Sequence, residues 1–307
     1  MRDQFGESLV EWGNKDPNLV VLDADLSSST RTEKFQQAFP NRFFNFGIAE
    51  QNMIAAGIGF ALRGKNVVLS GFTVFTIGRA WDFIRLAAYD EIPLKICTTH
   101  AGLSAGLDGA THQILEDFAL TCAMPNMHVI VPADSLETKQ VMDYILGTPS
   151  LFFVRLGRNP VPDVMPDDYQ FQFGVCQEIV PGQDVTIFAC GNMVLASIEA
   201  RRLLEEQGIS AQVVNMSTLK PLDATNILKF VKSTGCAVTV EEHNLMMGIG
   251  AQISSILSQE YPVPTECVGV EDQFGQSGSE KELFAHYGLT PESIVLKTKR
   301  VVERKNK

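Results

Sequence analysis

The sequence predicts an α/β protein of two three-layer domains, a mainly parallel sheet domain followed by a smaller mixed-sheet domain. Short apolar runs such as Leu19-Val20-Val21-Leu22 alternate with amphipathic segments along the chain, the pattern of strands buried on both faces by crossover helices. The 307 residues suffice for two sizeable cores. Pro160, Pro162 and Pro166, with Asp163, Asp167 and Asp168, fill a stretch with little periodicity, which reads as a linker. The expected boundaries are 1–160 for the first domain, 161–180 for the linker and 181–307 for the second.

Residues 3–14 read as a first helix and Leu19–Leu22 as a buried strand, which ends in Asp23-Ala24-Asp25 and a polar loop from Leu26 to Thr32. Arg42–Phe46 leads through Gly47 into a helix from Ile48 to Arg63, stopped by Gly64. Asn66–Ser70 is a strand, Gly78–Tyr89 an amphipathic helix and Leu94–Thr98 a strand, followed by a glycine-rich loop to His112. His128–Val131 is a strand, Asp134-Ser135-Leu136-Glu137 caps a helix through Leu146, and Leu151–Leu156 is the last strand of the first domain. In the second domain, 184–189, 211–216 and 237–240 read as strands, and 192–207, 223–233, 248–260 and 279–287 as helices.

Composition narrows the function. No apolar run approaches the roughly 18–20 residues of a membrane span. The N-terminus lacks an apolar signal core, so a cytoplasmic protein is expected. A net charge of −11 disfavours nucleic acid or an anionic membrane as partner, although a local arginine cluster still suits a small phosphorylated ligand. The six cysteines form no C-x-x-C pair, so free thiols and no metal site are expected.

Five strand ends carry polar or aromatic groups toward one sheet edge, where open α/β sheets bind ligands. Glu50 lies in the first turn of a helix, which favours its ionised form, while neighbouring Phe43, Phe44, Phe46 and Met53 oppose ionisation. Such a carboxyl group suits proton sharing with a ligand nitrogen, or serves simply as a charge partner for the helix. Phe72 and Phe75 suit a flat heterocycle or ordinary packing. The segment from Thr99 to Gln113 holds His100, Asp108, His112 and three glycines, a composition for close backbone approach to a polar substrate and for proton transfer. Arg155 and Arg158 are candidate phosphate clamps, and Ser27-Ser28-Ser29 follows the first strand on the same edge. Val240-Glu241-Glu242-His243 and Gly248-Ile249-Gly250 read as packing or subunit-contact segments.

These residues resemble the transketolase family, in the portion after its cofactor-diphosphate domain. The resemblance rests on Gly47-Ile48-Ala49-Glu50-Gln51-Asn52-Met53, Phe72-x-x-Phe75, Ile84-Arg85-Leu86-Ala87-Ala88, Thr99-His100 through Asp108-Gly109-x-Thr111-His112-Gln113, Pro125-Asn126, Pro132-Ala133-Asp134 and Leu156-Gly157-Arg158, in the family's order and spacing. It implies a pyrimidine-binding domain, a transketolase C-terminal domain and thiamine diphosphate as cofactor. Glu50 would hydrogen-bond the aminopyrimidine and promote its imino tautomer. Phe75, with Phe72, would stack on that ring, and Asp25 would belong to the cofactor site. Arg2, Ser29, His100 and Arg158 would hold the sugar phosphate, Asp108 would contact a substrate hydroxyl, and His112 would lie near the donor carbonyl. The reaction implied is transfer of a two-carbon ketol unit from a ketose phosphate to an aldose phosphate.

Two departures stand out. Gly78 occupies a position where the family often has tyrosine. The chain also lacks the Gly-Asp-Gly and Asn-Asn segments by which thiamine enzymes hold Mg²⁺ and diphosphate. The expectation is therefore a C-terminal subunit that self-associates and joins a separate N-terminal subunit carrying that site, as α2β2. The alternatives are a 1-deoxyxylulose-5-phosphate synthase-like enzyme, a 2-oxoacid dehydrogenase β-like subunit, or a non-catalytic homologue that binds a partner.

Overall fold

The computed structural model describes residues 1–306. The first unit runs α1 (Arg2–Lys15), β1 (Leu19–Asp23), α2 (Ser27–Thr30), α3 (Glu33–Ala38), β2 (Phe43–Asn45), α4 (Glu50–Leu62), β3 (Asn66–Ser70), α5 (Thr73–Arg79), α6 (Trp81–Tyr89), β4 (Leu94–Thr98), α7 (Asp117–Cys122), β5 (His128–Ile130), α8 (Ser135–Leu146) and β6 (Phe152–Arg155). The second runs β7 (Gln177–Val180), β8 (Val185–Ala189), α9 (Met193–Glu205), β9 (Ala211–Asn215), β10 (Thr218–Lys220), α10 (Ala224–Thr234), β11 (Ala237–Asn244), α11 (Ile249–Glu260), β12 (Thr265–Val270), α12 (Glu280–His286) and α13 (Pro291–Lys305).

The larger sheet has the order β10-β5-β6-β4-β3-β1-β2, parallel except for the antiparallel β10–β5 pair. The smaller has the order β12-β11-β8-β9-β7, with only the β7–β9 pair antiparallel. Every residue of β1, β4 and β6 is buried, which is why these strands are mostly apolar, interrupted only by Asp23, Lys95, Thr98 and Arg155. Alternate side chains supply opposite layers: Val20, Leu22 and Phe153 join one core, and Leu19, Val21 and Phe152 the other. The first of these cores continues through Phe188, Val214, Leu219 and Ile249 of the second unit.

The structure differs from the sequence expectations where local pattern is weak. The expected loop from Leu26 to Thr32 contains α2, organised by buried Asp23, which accepts from Leu26 N at 2.7 Å, Thr30 Oγ1 at 3.0 Å and Thr32 Oγ1 at 2.9 Å. Helix α5 takes in Phe75, although Phe72-Thr73-Val74-Phe75 has strand-like composition, and a break at Ala80 separates it from α6. Strand β7 lies at the end of the stretch expected as linker, where Gln177 and Glu178 mark a polar sheet edge. The sequence pattern also gives no warning of α7, β10, β12 and α13. Among the described residues no helix is long and apolar enough to cross a membrane.

Glu137 ties the two units together. It accepts hydrogen bonds from Ala133 N at 2.7 Å, Asn215 Nδ2 at 2.8 Å and the Tyr169 hydroxyl. Burial pushes its pKa up to about 7, so the folded state holds a proton that the unfolded chain releases. Its stabilising contribution is full below the ordinary glutamate pKa and fades as pH rises through about 7. Glu137→Gln is expected to flatten the pH dependence of thermal unfolding across that window, measured by melting curves against the wild type.

Candidate functional site

The site lies beyond the carboxyl ends of β1, β2, β3 and β4. Asn45, the last residue of β2, accepts from Gly47 N at 2.9 Å and from Asp25 N at 3.2 Å, which joins the loops after β1 and β2. Gly47 takes a φ of +67°, a left-handed turn suited to glycine, and the chain then enters α4 at Glu50. Glu50 is therefore the first residue of a helix, with its side chain buried.

Ala24, Asp25, Leu26, Ile48, Glu50, Phe75, Arg79 and His112 line one cleft of about 270 Å³. The structure thus gathers four of the expected residues: Asp25, Glu50, Phe75 and His112. Phe75 meets the His112 ring edge-on at 5.1 Å. Phe72 sits behind, 6.2 Å from Phe75 and stacked on His100 at 3.8 Å.

Arg79 was not singled out from the sequence. It follows Phe75 by four residues on α5, so both occupy one helix face. Its guanidinium lies 4.7 Å from the Phe75 ring centre, and Nη1 is 3.4 Å from Glu50. A planar cation thus covers the aromatic ring and compensates the buried carboxylate. The i, i+4 aromatic–arginine spacing was the available signal, obscured because α5 was not expected.

The loop after β4 supplies the neighbouring polar groups. His100 is buried with a φ of +59° and pairs through Nδ1 with Thr99 Oγ1 at 2.8 Å. Burial, aided by Arg2, Arg158, His112 and Arg31, pushes its pKa down to about 3. It is a neutral imidazole at physiological pH, with Nε2–H free to donate when Thr99 donates to Nδ1. Arg2 Nη1 donates to the Ser29 carbonyl at 2.8 Å. Arg158 lies 3.5 Å from Asp108 and donates to the Ala105 carbonyl. Arg2, Ser29, His100, Asp108 and Arg158 thus belong to one cationic neighbourhood beside the cleft.

Arg155 requires a correction. Expected as a candidate phosphate clamp, it is buried and paired instead, with Nε 2.7 Å from Asp117 and Nη1 3.6 Å from Glu242. As the last residue of β6 it is engaged by α7 through Asp117 and by β11 through Glu242. Glu242 and His243, read as packing residues, complete this junction, with His243 stacked on Phe118 at 4.6 Å. Among the described residues no group of three metal-ligating side chains is placed to hold an ion.

Two family models match the chain: Transketolase, pyrimidine binding domain, over residues 1–163, and Transketolase, C-terminal domain, over residues 174–294. A putative transketolase C-terminal section from Methanocaldococcus jannaschii is 43% identical, covering 100% of this chain and 96% of that protein. One of the subunits of an apulose-4-phosphate transketolase from Phocaeicola vulgatus is 35% identical over 95% of this chain and 94% of its own length. A solved split-gene transketolase, described as an inactive β4 tetramer, superposes with a TM-score of 0.90 at 41% identity, covering 99% of this chain and 98% of that one.

Proposed function

This chain belongs to the transketolase family, and from that premise we propose that it is the C-terminal subunit of a thiamine diphosphate-dependent transketolase. It acts with a separate N-terminal subunit to transfer a two-carbon ketol unit from a ketose phosphate to an aldose phosphate. The observation that carries this reading is the single cleft in which Glu50, Phe75, Asp25 and His112 meet.

The residues fit one half of the cofactor. The Arg79 guanidinium sits over the Phe75 ring at 4.7 Å while paired with Glu50, so the cleft offers a place for a protonatable group between an aromatic face and a carboxylate. Phe75 and Ile48 offer apolar walls, and Glu50 a buried carboxylate. When bound, the cofactor supplies the carbon nucleophile and the electron sink for cleavage of the ketose. Glu50 holds a proton shared with the pyrimidine ring. His112, in the cleft lining, exchanges protons with substrate oxygens. Neutral His100 donates to the sugar phosphate, Arg2 and Arg158 neutralise it, Ser29 adds a polar contact, and Asp108 accepts from a hydroxyl. A pyrimidine ring held against Phe75 and Glu50 would take the place of the Arg79 guanidinium, whose side chain is half exposed.

Mg²⁺ and the diphosphate belong to the partner subunit in this reading. The relatives described as a C-terminal section and as one subunit of a transketolase support it, as does Ile48, an apolar cleft residue left 74% exposed. Two copies of each subunit, self-associated through the pyrimidine-binding and C-terminal domains, complete the assembly.

The test compares the purified chain with the chain plus its N-terminal partner, thiamine diphosphate and Mg²⁺, on xylulose 5-phosphate and on pyruvate. Turnover of the sugar phosphate only in the complete mixture is expected. Full activity from the chain alone overturns the divided site, and turnover of pyruvate moves the protein to another thiamine reaction. The relative described as an apulose-4-phosphate transketolase makes that sugar phosphate the first alternative donor to assay.

A further inference from the structure

The loop that carries His100, Asp108 and His112 is gripped by the C-terminal domain. Glu242, near the end of β11, accepts from Ser104 N at 2.6 Å through Oε1. Its own carbonyl accepts from Arg155 Nη2 at 2.9 Å. Ser277 Oγ donates to the Leu107 carbonyl at 2.8 Å, and Gln113 Nε2 bridges the carbonyls of Gly106 and Gln276 at 2.9 and 3.0 Å. The Glu242 carboxyl fills space that only glycine leaves free: a Cβ on Gly102 would stand 2.5 Å from it and 2.8 Å from Arg155 Nη2. Gly102 has a φ of +72°, so strain and close contact both select glycine there.

We propose that Glu242 is a positioning residue for the substrate loop, by which the C-terminal domain sets where His100 and Asp108 stand relative to the cleft. The proposal rests on the reading above that this loop binds the sugar phosphate. Glu242 touches neither cofactor nor substrate. It holds Ser104, four residues beyond His100 and four before Asp108, from a strand 138 positions away in the sequence. Misplacing a substrate-orienting group by about 1 Å can cost up to about a hundredfold in rate, so one backbone tether is enough to matter.

The two carboxyl oxygens separate tethering from charge. Oε1 accepts from Ser104, while Oε2 is buried without a hydrogen-bond partner. Glu242→Gln keeps an acceptor for Ser104 and removes the charge. Glu242→Asp keeps the charge near Arg155 and falls short of Ser104. Hydrogen exchange of peptides spanning 99–113 in the purified chain is the first readout. Faster exchange at Ser104 in Glu242→Asp, with near wild-type protection in Glu242→Gln, is expected. Unchanged protection in Glu242→Asp, or equal loss in both variants, overturns the tether. The second readout is KM for xylulose 5-phosphate in the complex with the partner subunit. Glu242→Asp should raise it roughly tenfold, with thiamine diphosphate affinity unchanged and Glu242→Gln restoring it. Equal KM values overturn the role in positioning. A wild-type complex that turns over no sugar phosphate counts against the proposed function, and the exchange experiment still decides the tether.

Discussion

Glu50→Ala, in the chain assembled with its partner and cofactor, is expected to lower ketol transfer by about 10²–10⁴-fold while leaving fold and assembly intact. The carboxylate is buried at the first residue of α4, inside the cleft and against Arg79. No other carboxylate is as deeply buried among the cleft residues, since Asp25 is exposed. A replacement group for proton exchange with a pyrimidine ring is therefore lacking. Because Arg79 is half exposed, it can turn to water when Glu50 is removed, so the stability cost should be small. Steady-state turnover of the complex and gel filtration of both subunits together provide the check. Turnover close to wild type would remove Glu50 from the chemistry and favour a chain that serves assembly alone.

The largest stability effect is expected at Arg155. Its guanidinium is buried, its pKa held up by Asp117 and Glu242 against the cost of burial, and it also lies 4.8 Å from the Phe118 ring centre. Replacing both ions by apolar groups can be neutral, but removing one partner strands the other in a dry interior. Arg155→Met leaves the carboxylates of Asp117 and Glu242 without their cation and should cost about 3–5 kcal/mol. The urea midpoint of the isolated chain measures it. A loss below about 1 kcal/mol would place this junction with solvent-screened surface pairs. Acid should narrow the difference between variant and wild type. Burial pushes Glu242 up to about 7, so this carboxyl group takes up its proton as pH falls through that value and no longer needs the cation.

The parallel strands were legible because a strand buried on both faces has no polar side to dilute its pattern. The Glu50, Phe75 and His112 neighbourhood was legible for a related reason. In a parallel sheet the strand ends on one edge are neighbours, whatever their distance in sequence. What stayed hidden depends on partners far away. Arg155 shows only a basic residue at a strand end. Its burial follows from Glu242, 87 positions later. Glu242 likewise shows an acid beside another acid, Glu241, whose task is different: it caps α11 through Ile249 N at 2.7 Å and Gly250 N at 3.0 Å. Strand β10 is three residues long and bears no alternation. Arg79 was hidden by composition, since the β-branched residues Thr73, Val74, Thr76 and Ile77 favour a strand, yet the segment forms helix α5.

Strand β10 bears on how such chains recombine. Thr218–Lys220 belongs in sequence to the C-terminal domain yet forms the outermost strand of the first sheet, where Lys220 Nζ also donates to the carbonyls of Cys122 and Met124. The two domains are therefore not interchangeable cassettes. A chimera that exchanges the C-terminal domain also exchanges one strand of the neighbouring sheet, together with the shared core beneath it. Cutting the chain at the linker would bare the edge of β5, a row of unpaired backbone groups prone to recruiting foreign strands. The shared strand and core make the two domains one structural block, whatever chemistry the cleft performs.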